Sequence, residues 1–221
     1  MQIPVLAYAS GLSVIFPVAF GAIRIRLLDR ALKTLFLLQT IYLIVVALQF
    51  YLAFHHMTNL WISHLYAVIE YPFLMAMFSL WQKNRIVERT IVLSIPIFLV
   101  FWGVASIYLE PFTAPAIYTY PISRMTYCVV ALYTLRIISL ESTTLILKDP
   151  RFWIIGSLLV SSTGEVIFYG LRGIIANLSQ RDFLTAFGVH WILIIATNLT
   201  FSIGYICIPL KNSGGPSPLA Q

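Results

Sequence analysis

Two glutamates, Glu70 and Glu165, sit deep inside long apolar runs. The first run is LWISHLYAVIEYPFLMAMFSLW at 60–81, and the second contains SSTGEVIFYGLR at 161–172. Each acid has polar company at helical spacing. At 100° per residue, Asn59, Ser63, Tyr66 and Glu70 fall on one stripe. In the second run Ser161 or Ser162, Glu165 and Tyr169 are three and four residues apart, with Arg172 one turn further on. A charged group at the centre of a bilayer costs about 2.5–3.5 kcal/mol on insertion scales, so both acids are expected to point inward or to carry a proton.

Arg124 lies about two turns inside another apolar run and is the natural counter-ion, since its long side chain can snorkel to a surface or reach a carboxylate. His190 occupies a similar depth on the last run, with Thr197, Asn198 and Thr200 following it. His64 falls off the Glu70 stripe, toward Ala67 and Tyr71. Pro72 leaves the Val68 carbonyl without its helical donor, and a kink there would rotate His64 back toward the bundle. The candidate ligand-binding set is therefore Ser63, His64, Tyr66, Glu70, Arg124, Glu165, Tyr169, His190 and Asn198. No catalytic residue, metal ligand or cofactor is assigned. Gln39, Tyr42 and Gln49 give the second run a polar face of its own.

Every one of these residues also has an architectural reading. The acids would serve as interhelical hydrogen-bonding groups or as a buried pair with Arg124, and the histidines as hydrogen-bonding residues instead of ligands. His55 and His56 fall at the water boundary, and Trp61, Trp81, Trp153 and Trp191 near run ends fit an interfacial belt.

The elements that must position these groups follow from composition. Of 221 residues, 60% are hydrophobic and only 10% charged, which places the chain among polytopic membrane proteins. A span needs roughly 20 residues, and apolar runs at 3–23, 31–54, 59–81, 90–109, 117–140, 152–175 and 185–208 predict seven transmembrane helices in an all-α fold. A membrane barrel would instead show alternating segments of about ten residues. Residues 1–210 are expected to form one seven-helix domain and 211–221, KNSGGPSPLAQ, rich in Gly, Pro and Ser, a disordered cytoplasmic tail.

The net charge of +6 is sorted by connector, which argues against nucleic acid as a partner. Arg24, Arg26, Arg30, Lys33, Lys83, Arg85, Arg89, Arg136, Lys148, Arg151 and Lys211 share one face, and only Arg172 and Arg181 fall on the other. The positive-inside rule then puts the N-terminus outside and the C-terminus in the cytoplasm. The first run lacks a basic leader and reads as a retained span. Cys128 and Cys207 lie inside spans at opposite depths and predict no disulfide, while Asn177-Leu178-Ser179 is a glycosylation sequon on the outer side. The prolines of EPFTAP are expected to stiffen that connector into a roof over the outer half of the bundle.

The segments KDPRFWIIGSLLVSSTGEVIFYGL and NLWISHLYAVIEYPFL resemble uncharacterised bacterial seven-helix membrane proteins, in which an asparagine precedes a span bearing a glutamate and a proline-phenylalanine-tryptophan-like motif opens the sixth helix. That resemblance implies a cell-membrane location, in a bacterial inner membrane, and transfers no functional residue. Other seven-helix families fit less well. Retinal attachment needs a lysine in the last span, and 185–208 contains none; the adiponectin-receptor type needs histidines four apart, and His190 is followed by Ile194; Pro17 is followed by Val18 where PQ-loop transporters carry glutamine. Walker, His-Glu-x-x-His and Gly-x-Ser-x-Gly motifs are absent from the sequence.

Four functions remain open on these grounds. The first is a receptor-like or sensor-like binding protein with a polar pocket in the outer half, taking a small-molecule ligand and signalling through a cytoplasmic or membrane partner. The others are a structural or accessory membrane subunit, a small proton-coupled transporter, and an intramembrane metal-dependent hydrolase built on His64, His190 and a glutamate. Membrane lipid is a partner in all four.

Overall fold

The structure is a computed structural model that describes residues 4–141, 145–171 and 179–208. It is helical, with no strand among the described residues. The helices are α1 (Val5–Leu12), α2 (Ile15–Ile23), α3 (Arg30–Phe54), α4 (Leu60–Leu80), α5 (Arg85–Tyr108), α6 (Thr119–Glu141), α7 (Pro150–Gly170) and α8 (Gln180–Ile206), with a short 3-10 turn at Ile146–Lys148. Six segments are long and apolar enough to cross a membrane: Val5–Ile23, Arg30–Phe54, Leu60–Leu80, Arg85–Tyr108, Pro150–Gly170 and Asp182–Ile206. Helix α6 has the length, but its two serines, three threonines, two arginines and glutamate make it more polar. Arg172, the Asn-Leu pair of the sequon and the tail fall outside the described residues.

Most of the expected runs appear as single helices, and the first does not. It breaks at Ser13-Val14, because Pro17 has no N–H to offer the Ser13 carbonyl four residues back. The Phe16 N–H donates to that carbonyl instead, and Ser13 turns its own hydroxyl onto the Ser10 carbonyl at 2.6 Å. Pro72 and Pro96, by contrast, are accommodated within α4 and α5.

Other helix ends are set by short polar side chains. Asp29 accepts from the Leu32 N–H, Asn84 from Ile86, and Asp149 from Arg151, with Pro150 opening α7. Glu110 does the same for α6 from a distance. Almost fully buried, it accepts from the Tyr118 and Thr119 N–H groups and from the Thr119 hydroxyl at 2.7 Å. Its carboxylate thus satisfies donors that α6 would otherwise leave bare. Replacing Glu110 with alanine is expected to lower stability by about 2–3 kcal/mol, and Glu110→Gln by less, when thermal unfolding is followed in detergent.

The packing order is a ring. Helices α1 and α2 lie against α3 and α8, α3 against α4, α4 against α6, α6 against α7 and α7 against α8; α5 is stacked outside, against α4 and α6. Helix α1 meets α3 through the Phe50 ring, which stacks on Tyr8 and lies where a Cβ on Gly11 would come within 2.7 Å of it. Polar bridges pin neighbouring helices: Tyr205 donates to Gln39 at 2.9 Å, Asn198 to Ser13 at 2.8 Å, Ser157 to the Thr197 carbonyl at 2.9 Å, and Tyr71 to Ser94 at 3.1 Å.

The two halves of the ring differ. Toward the end where α2, α4 and α6 finish, the interior is dry and filled by Leu32, Leu35, Phe78, Ile138, Ile154 and Tyr205. That end also carries Arg24, whose guanidinium donates to the Ile208 carbonyl, and the Lys83–Glu141 pair at 3.0 Å. Toward the other end the interior opens.

Candidate functional site

The opening is a partly enclosed cavity of about 450 Å³, lined by α1, α3, α4, α6, α7 and α8 and not by α5. It descends from the level of Ala53 and Asn59 to an apolar floor at Leu35, Leu74 and Phe201. Its volume falls in the range of small-molecule sites.

Arg124 holds the middle of one wall. It leaves α6 one turn below the helix start, with its guanidinium carbon 5.3 Å from the Tyr120 ring centroid and 5.2 Å from that of Tyr127. Tyr120 precedes Arg124 by four residues and Tyr127 follows it by three, so all three share a helix face. From that position Arg124 pairs with two acids. Its Nη1 lies 2.8 Å from Glu70 Oε2, on α4, and its Nε pairs with Glu165 Oε2, on α7. One guanidinium therefore joins three helices.

The acids are not sealed into dry packing. The Glu70 and Glu165 side chains keep 12% and 17% exposure and Arg124 only 7%, and all three line the cavity. The two acids are thus the more exposed members of the cluster.

Aromatic rings surround this cluster. Tyr42 of α3 tilts against Tyr66 of α4 at 5.2 Å between centroids, and Tyr120 stacks on Tyr169 of α7 at 4.8 Å. His190 of α8 stacks on Phe168 at 4.3 Å and meets the edge of Tyr169. The Tyr120 hydroxyl donates to the Ser63 carbonyl at 3.0 Å, and Gln49 donates to the Ser63 hydroxyl at 3.3 Å. The same lining carries apolar side chains, among them Val46 and Phe50 of α3 and Leu193 and Ile194 of α8.

Of the residues expected at the site, Ser63, Tyr66, Glu70, Arg124, Glu165, Tyr169, His190 and Asn198 all border this cavity. Asn198 does so with its amide committed to Ser13, which gives it a packing role. His64 is a correction. The passage of α4 through Pro72 does not bring it back to the bundle interior; it is buried on another face, where its Nε2–H donates to the Ala114 carbonyl at 2.8 Å and its ring meets the edge of Phe112. The EPFTAP connector is likewise placed differently from expectation. Pro115 and Ala116 cover a separate void of about 120 Å³ that shares Ser63, Tyr120, Tyr169 and His190 with the main cavity, and they do not line the main cavity itself.

Tyr120 and Tyr127 were not anticipated, although their spacing around Arg124 on one helix face was readable. The ligand set for a metal hydrolase is not assembled: among the described residues no group of three or more His, Cys, Asp or Glu side chains could hold a metal ion. With this geometry established, comparison adds no relative, since no family model, curated protein or solved structure matches the chain.

Proposed function

We propose that the chain is a receptor-like or sensor-like multi-pass membrane protein that binds a small polar molecule in the cavity between its helices. The observation that carries this reading is the Glu70–Arg124–Glu165 cluster facing an open volume. A cluster serving helix association alone needs no open volume beside it, whereas these three side chains line one of about 450 Å³. The ring arrangement also supports a response to binding, since one ligand in the cavity touches six helices whose ends are joined by short connectors available to a cytoplasmic or membrane signalling partner.

In this proposal all seven long segments span the membrane, α1 and α2 together counting as one. The basic end faces the cytoplasm and the cavity lies in the outer half, in keeping with the sorting of lysine and arginine. A bacterial inner membrane is the proposed location.

The transporter reading retains one supporting observation. The main and minor cavities share Ser63, His190 and the stacked Tyr120 and Tyr169 in their linings, an arrangement suited to gated passage.

A thermal-shift screen of small polar compounds on the purified chain tests the binding reading. A ligand at a hundred times its dissociation constant stabilises by about 2.7 kcal/mol, so a true binder should raise Tm by several degrees. Ser161→Phe, which puts a ring into the cavity one turn from Glu165, should stay folded and lose the shift. Shifts of equal size in both proteins would count against the cavity.

A further inference from the structure

We propose that the ligand is a small organic cation with an apolar body, a refinement that rests on the cavity being the binding site. The charges on the lining are Glu70 on α4, Arg124 on α6, Glu165 on α7 and, on α8, the imidazole of His190; α1 and α3 contribute no carboxylate or base. One guanidinium against two carboxylates leaves one negative charge over when both acids are ionised and His190 is neutral. The excess also sits on the accessible side. Arg124 is clamped by both Oε2 atoms and flanked by two tyrosine rings, whereas the acids are the more exposed members. An entering anion would meet carboxylates before it met the arginine. An entering cation meets those carboxylates together with the rings of Tyr42, Tyr66 and Tyr169, whose faces attract positive charge. Val46, Phe50, Leu193 and Ile194 give the same cavity an apolar lining, where the ligand's hydrocarbon part is received. A cavity of about 450 Å³ accommodates a molecule of this type and excludes a large one.

Three probes of nearly the same shape separate charge from shape: benzylammonium, benzyl alcohol and benzoate, titrated calorimetrically into the purified full chain in neutral detergent. Benzylammonium is expected to bind at least tenfold more tightly than either of the others. Glu70→Gln and Glu165→Gln should each reduce that preference tenfold or more while eluting as folded protein in size exclusion, and Ser161→Phe should abolish it. Equal or tighter binding of benzyl alcohol or benzoate that Ser161→Phe removes would overturn the cation assignment and leave the binding site standing. Benzylammonium binding that persists in Ser161→Phe would place the cation outside the cavity and overturn the proposal. Failure of all three probes to bind would overturn it as well, and the cavity reading would then be decided by the thiol-accessibility measurement that closes the Discussion.

Discussion

Replacing Arg124 with methionine is expected to destabilise the protein by about 3–5 kcal/mol, the scale for removing one partner of a buried ion pair. Methionine retains much of the stem's contact with Tyr120 and Tyr127, so the loss isolates the charge. Two acids on different helices would then face each other without a counter-ion. The effect is to be measured as the unfolding free energy in a mild detergent titrated with a denaturing one. The triple variant Arg124→Met, Glu70→Gln, Glu165→Gln should recover most of the loss, because it leaves no charge unpaired. A triple variant as unstable as the single one would show that the guanidinium acts through shape and packing alone.

The second large effect is a failure of additivity. Glu70→Gln alone, or Glu165→Gln alone, leaves one carboxylate for one guanidinium and is expected to change stability by less than about 1 kcal/mol. The double variant strands Arg124, 7% exposed, and should cost about 3–5 kcal/mol. The coupling between the two positions would thus be at least about 1–3 kcal/mol, which fits a shared partner. Additive single effects, measured in the same titration, would mean that the two acids do not depend on a common arginine.

The legible parts of this molecule are those set by one strong local term. Continuous apolar runs specify helices, and the stripe of Ser63, Tyr66 and Glu70 with its counterpart on α7 specifies which faces look inward, since the penalty for charge in lipid allows few alternatives. Arg124 was readable as the counter-ion for the same reason. The break at Ser13-Val14 was less legible, although Pro17 stands four residues after the carbonyl it fails to satisfy. What periodicity could not give was the outcome for His64. Its position depended on whether Pro72 would swing the preceding turns, and the local contact with the Ala114 carbonyl fixed it elsewhere. Glu110 was hidden by another limit. A glutamate in a proline-rich connector looks solvated in sequence, and only the return of the chain at Tyr118 and Thr119 supplies the donors that bury it.

The central claim is that the carboxylates face a water-accessible chamber and not a dry joint. Thiol accessibility tests it most directly, in a background where Cys128 and Cys207 are replaced by alanine. Ser161→Cys, on the cavity wall, and Met75→Cys, in the fully buried core on α4, would be exposed to a small water-soluble methanethiosulfonate in membranes. Rapid labelling is expected at position 161 and none at position 75 on the same timescale. Equal resistance at both positions would contradict it.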